Sequence, residues 1–150
     1  MTLFSKLFSA RRDEVELGQG LWRRAHDRFR RGLDRFHQML ERIDDESLQQ
    51  DLIPIANNLA ELLPVVRAVC VSAQRLSPSA GLDVPAGAFN EIHRELTRAG
   101  TALATAAEAV AMARLDASSA SVEATWRRAV QVEAHIELAK KLSLLTESNC

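Results

Sequence analysis

Tyrosine is absent from this 150-residue chain, and aromatic side chains make up only 5% of it: five Phe and two Trp. So few stacking groups argue against a nucleic-acid surface, where bases rest on exposed aromatic rings. Cysteine is nearly absent too, with only Cys70 and Cys150. A chain of this length buries roughly 68–70% of its unfolded surface, so it needs no disulfide or metal to fold. The two thiols read as one buried and one free at the tail, in a reducing compartment. No apolar run approaches the roughly 18–20 residues of a membrane span. The first ten residues, Met-Thr-Leu-Phe-Ser-Lys-Leu-Phe-Ser-Ala, are too short and too interrupted for a secretory signal, so the expected location is cytoplasmic. With 19 basic and 20 acidic side chains, the formal charge of −1 gives the whole molecule no strong pull towards polyanions.

Catalytic signatures are missing as well. Di-iron bundle enzymes place Glu three residues before His, so that one helical turn aims both ligands inward. The residues at that offset are Arg23, Asp34, Asn90 and Val132, before His26, His37, His93 and His135. Glu91, Glu95, Glu133 and Glu137 flank His93 and His135 at spacings of two, which point elsewhere on a helix. There is no His-Glu-x-x-His, no Cys-x-x-Cys, no Gly-rich phosphate loop and no Gly-x-Ser-x-Gly. The expectation is no enzyme, no cofactor, no metal and no small-molecule substrate.

Helical periodicity dominates what is present. Val15, Trp22, Phe29, Phe36 and Ile43 recur every seven residues, with Gly18, Ala25, Gly32 and Met39 three positions after the first four. They predict a helix over 13–43, or from nearer Gly20 if its glycines fray the start. Ser47 with Gln50 offers a capping box for a second helix, which carries Leu48, Leu52, Ile55, Leu59, Leu62, Val66, Val69, Ala73 and Leu76. Pro54 fits as the first residue of that helix proper, and Pro64 should kink it by crowding the Ala60 carbonyl. Residues 77–87 form the longest loop, rich in Pro and Gly. A third helix follows on Phe89, Ile92, Leu96, Ala99, Leu103, Ala106, Val110 and Ala113. The fourth, over 121–145, has the stripe Val122, Trp126, Ala129, Val132, Ile136 and Ala139. A second apolar edge, Val130, Leu138, Leu142 and Leu145, marks an oligomer contact or a central position. The whole predicts one all-α domain: a four-helix antiparallel bundle of two helical hairpins with a short N-terminal amphipathic segment over 1–12.

Three features invite a functional reading. Arg23, Arg24, Arg28, Arg30, Arg31 and Arg35 line the outer side of the first helix. Residues 1–42 hold ten basic and six acidic side chains, a net of +4 against −5 for the remainder. Such a face either solvates and pairs with the acidic helices or docks an acidic protein partner, and the acidic remainder argues against nucleic acid. Leu3, Phe4, Leu7 and Phe8 share one face of the N-terminal segment, ahead of Arg11 and Arg12, a pattern that suits packing, a partner, or weak seating in a membrane interface. The stretch Phe89-Asn90-Glu91-Ile92-His93-Arg94-Glu95-Leu96 resembles the segment carrying the phosphorylated histidine of bacterial phosphorelay helical bundles, which implies His93 as a phosphoacceptor. The phosphotransfer pattern has Lys-Gly soon after its His, where this chain has Leu96-Thr97. The alternative for His93 is a boundary residue on a helix. Trp22-Arg23-Arg24-Ala25 recurs as Trp126-Arg127-Arg128-Ala129, and each Trp is expected to cover one bundle end. The first expectation for function is a non-enzymatic interaction protein that self-associates as a homodimer; the others are a phosphorelay carrier using His93 and a peripheral membrane adaptor.

Overall fold

Two glycines divide the first helical stretch. Gly18 takes φ 70°, a left-handed conformation that ends a helix at little cost only for glycine, and its N–H bonds back to the Glu14 carbonyl. Gly20 packs on the backbone of Ser79, where a Cβ would collide with the carbonyl. The computed structural model describes residues 3–150, and its helices run α1 Leu3–Leu17, α2 Leu21–Glu41, α3 Glu46–Ala60, α4 Leu62–Leu76, α5 Ala88–Leu115 and α6 Ser119–Ser148. The described residues contain no strand. The helix expected over 13–43 is therefore two helices. Residues 13–17 close α1 rather than fray, and Val15 leaves the seam, 78% exposed.

The second expected helix is also divided. Its N-cap is Asp45, whose carboxylate accepts from Leu48 N at 2.9 Å, so the Ser47–Gln50 capping box is not used. An Asp side chain reaches an N3 amide as well as Ser does and adds charge at the positive end of the helix dipole. Pro54 lies inside α3, on its exposed side, rather than at its first residue. The break falls at Glu61, beside the Ala60 carbonyl that Pro64 leaves without an amide.

One expectation about membranes is corrected here. Within Glu46–Leu76 an 18-residue stretch reaches a mean hydropathy of 1.3, enough in length and composition for a span. Its apolar side chains Leu48, Leu52, Ile55, Leu59, Leu62, Val66 and Val69 are buried in the protein's own core.

The loop over 77–87 and the start of α5 at Ala88 fall where the Pro and Gly placed them. Ser118 caps α6, its hydroxyl accepting from Ser121 N. The most extensive pairing joins α5 to α6; α2 packs on α5, α4 and α3, and α6 closes on α4 and α3. Ala99, Gly100, Ala106, Ala107 and Ala113 of α5 are all buried, small residues on which its neighbours pack, with Arg28 of α2 lying over Gly100. One core cluster links Trp22, Phe29 and Phe36 of α2 with Leu52, Leu59, Val66, Leu103, Val110, Val132 and Ile136 of the other helices. Helix α1 stands outside this arrangement, touching α4 and, more slightly, α2.

Candidate functional site

The N-terminal amphipathic helix is longer than the segment expected over 1–12. It runs to Leu17; Met1 and Thr2 lie outside the described residues. Asp13 and Leu17 are the residues it buries. Arg67 of α4 clamps this end, with Nη1 donating to Asp13 at 2.5 Å and Nη2 to Glu16 at 2.8 Å. The bonds from Arg67, and after them from Arg12, hold the Glu16 carboxyl below its ordinary range. Sequence reasoning missed this clamp because its partners lie far apart along the chain. The available signal was Leu17, an apolar residue one turn beyond a lone Asp.

Before the clamp, every described residue from Leu3 to Arg12 is exposed. Leu3, Phe4, Leu7 and Phe8 keep 59–74% of their surface open to solvent. They do not pack on the protein's own helices. Phe4, Leu7, Phe8, Ala10, Arg11 and Glu14 line an open cleft of about 480 Å³ that Arg23 of α2 closes on one side.

The six-arginine face of α2 separates into two kinds of residue. Arg23 donates to Asp27 at 3.0 Å, and Arg28 reaches across to the Thr97 carbonyl and the Thr101 hydroxyl of α5. Arg30 stands 3.9 Å from Asp27. Burial pushes Asp27 up, but bonds from His26 and Arg23 outweigh it and leave the carboxyl below its usual value. Arg24, Arg31 and Arg35 are exposed and form no ion pair among the described residues. The free cationic row is thus three side chains at helical spacing rather than six.

On α6 the expected stripe holds at Ala129, Val132, Ile136 and Ala139, with Val122 partly buried against the core, and fails at Trp126 alone. Thr125, fully buried, takes the core position expected of Trp126, its hydroxyl satisfied by the Ser121 carbonyl at 3.0 Å. Trp126 turns outward, 55% exposed, beside Ile55, Asn58, Leu62, Val130 and Glu133. Val130, Leu138, Leu144 and Leu145 continue an apolar edge at 42–54% exposure. Leu142, expected on that edge, instead packs partly against the core. Leu144 and Leu145 border a cleft with Glu137, Lys140 and Lys141.

His93 lies half-buried, its ring edge-on to Trp22 with centroids 6.0 Å apart. Burial first, and the Arg28 charge second, lower its pKa. Neighbouring Arg94 is paired with Glu91 at 3.3 Å. Cys70 is fully buried and its thiol is pushed up to about 12, so it offers no thiolate near neutral pH. A polar pair not foreseen in the sequence ties α5 to α6. The buried Glu95 carboxylate meets His135 Nδ1 at 2.7 Å and Arg98 at 2.6 Å. Among the described residues no group of three or more His, Cys, Asp or Glu side chains is placed to hold a metal ion. No protein-family model, curated protein or solved structure matches the chain.

Proposed function

We propose that this chain is a non-enzymatic interaction protein, a four-helix bundle of two hairpins in which α3 and α4 act as one bent helix, and that it pairs with a second copy along the outer edge of α6. The observation that carries the reading is the row Trp126, Val130, Leu138, Leu144 and Leu145, five large apolar side chains left at 42–55% exposure on one helix. Grouped exposed apolar residues of this size mark contact surfaces more than solvated ones. Charge along the edge supports a two-fold arrangement. Glu133 and Glu137 lie just before and at its middle, Lys140 and Lys141 one turn further on, and Arg127 and Arg128 at its start. Antiparallel pairing of two copies that cross near Leu138 sets Glu133 and Glu137 of each against Lys140 and Lys141 of the other, the self-complementarity of an isologous contact.

Size-exclusion chromatography with light scattering tests this. Wild type should run at twice the chain mass. The double variant Val130→Glu, Leu145→Glu should run at the chain mass with unchanged helical circular dichroism. Wild type at the chain mass throughout an accessible concentration range rejects the reading.

A further inference from the structure

The free half of α1 is a second surface, on a different helix, and its chemistry differs from that of α6. Residues 3–12 carry three cations, Lys6, Arg11 and Arg12, and no carboxylate. Acidic side chains begin at Asp13. Arg67 engages Asp13 and Glu16, Arg12 is itself paired with Glu16 at 3.1 Å, and Glu14 accepts from Gln19, which leaves Lys6 and Arg11 as the cations of this segment unpaired among the described residues. Leu3, Phe4, Leu7 and Phe8 form an exposed apolar ridge. Arg11 lies on the same helical face, one turn after Leu7 and Phe8.

We propose that α1 seats the protein on an anionic lipid surface, with Leu3, Phe4, Leu7 and Phe8 entering the headgroup–acyl boundary and Lys6 and Arg11 meeting the phosphates. Three observations favour a bilayer over other occupants. A second copy's residues 3–12 bring the same cations and no carboxylate, so facing the two segments is repulsive. Every described residue from 3 to 12 is exposed, so the segment presents a ridge to a surface, not one face left over from packing. Arginine at the end of an apolar ridge is tolerated where its stem lies along acyl chains while its guanidinium reaches headgroup oxygens. The clamp gives the ridge a fixed mount, because Arg67 ties α1 to α4 beyond it.

The inference does not depend on pairing through α6. Flotation of the full chain with vesicles of phosphatidylcholine alone, or with added phosphatidylserine, tests it. Wild type should float with the phosphatidylserine vesicles only, and high salt should release it. Phe4→Ser with Phe8→Ser should abolish flotation without changing the melting temperature, since neither ring supports the core. Lys6→Gln with Arg11→Gln should weaken partitioning roughly thirtyfold, from about 1 kcal/mol per surface cation. Equal flotation of both variants with wild type overturns the proposal. So does a wild type that ignores phosphatidylserine vesicles, which would point to a protein as the occupant of α1.

Discussion

The same four residues occur twice in this chain and are used in opposite ways. In Trp22-Arg23-Arg24-Ala25 the indole is fully buried. Its Nε1 donates to the Ser77 carbonyl at 2.9 Å, and its ring meets Phe89 and His93 edge-on. In Trp126-Arg127-Arg128-Ala129 the indole is 55% exposed and Ala129 takes the core position. The helix is rotated about its axis so that a different member of the motif faces inward. Its neighbours explain the rotation. Around Trp22 the apolar positions Phe29, Phe36 and Leu40 continue the Trp register. Around Trp126 the buried set is Thr125, Ala129, Val132, Ile136, Ala139 and Ser143, alternating steps of four and three with a small polar residue at each end. Small residues fit where α5 approaches closely, and an indole does not. The expectation that each Trp covers one bundle end is replaced by a core Trp and a surface Trp.

The largest effect should come from breaking the two halves of that comparison separately. Trp22→Ala should cost about 3–5 kcal/mol, through lost burial and the cavity left behind. Trp126→Ala should change the stability of the monomer by no more than about 0.5 kcal/mol. Urea unfolding, run at low concentration and monitored by circular dichroism, measures both. Similar costs for the two would show that Trp126 is buried in solution and remove the surface on which pairing through α6 rests.

A smaller effect sharpens why Trp22 is enclosed. Gly20 lies under Ser79, and Ser79 Oγ accepts from Leu21 N at 3.0 Å, so the 77–87 loop folds over the start of α2. Gly20→Ala must push the Ser79 backbone away. The expected cost is about 1–3 kcal/mol, together with a red shift of Trp22 fluorescence in a Trp126→Phe background. An unchanged emission maximum would mean that the loop does not seal the indole.

What the sequence disclosed follows the same division. The apolar seam of α2, the alternating steps across α3 and α4, the loop at 77–87 and the Ala-rich face of α5 all rest on large apolar or helix-breaking residues, whose signals are local. The misread features rest on polar residues in apolar positions. Thr125 satisfies its hydroxyl within its own helix and so packs as a small apolar group, a role its side-chain type does not advertise. Asp13, His26 and Glu95 are buried because partners from elsewhere meet them or because a neighbour does, and periodicity registers none of these bonds. Of the surfaces singled out, the apolar face of Leu3, Phe4, Leu7 and Phe8 was legible as a helical face, but its standing clear of the other helices was not, since packing on them was one of the expected readings. The arginine face was legible only in part, since the bonds of Arg28 to α5 depend on how two helices meet.

The Glu95–His135 pair offers a test of the contact between α5 and α6. His135→Ala leaves a buried carboxylate held by Arg98 alone, whose own side chain is largely in solvent. The expected loss is about 1–2 kcal/mol near neutral pH. His135→Gln, which can still donate to the carboxylate, should recover most of it. A loss unaffected by that rescue would assign the cost to packing rather than to the bond.

The smallest effect concerns His93, on the Trp22 side. Burial against Trp22, and secondarily the Arg28 charge, lower its pKa in the folded state. The unfolded chain therefore takes up the proton first as pH falls below the ordinary value of 6.5. Stability drops over that window, because the unfolded state binds more protons there, and the slope ends once the folded state is protonated too. Asp27 acts in the same direction but lower down: its depressed carboxyl contributes stability above its ordinary value of 3.8, lost as pH falls through the folded pKa. The two windows are separate, so comparing wild type with His93→Gln at about pH 7.5 and about pH 5.5 isolates this histidine. Wild type should lose a few tenths of a kcal/mol or more between them, and His93→Gln should lose less. Equal losses would mean that His93 is solvated and free to titrate normally, and the close packing that sets Trp22 apart from Trp126 would then not extend to its ring.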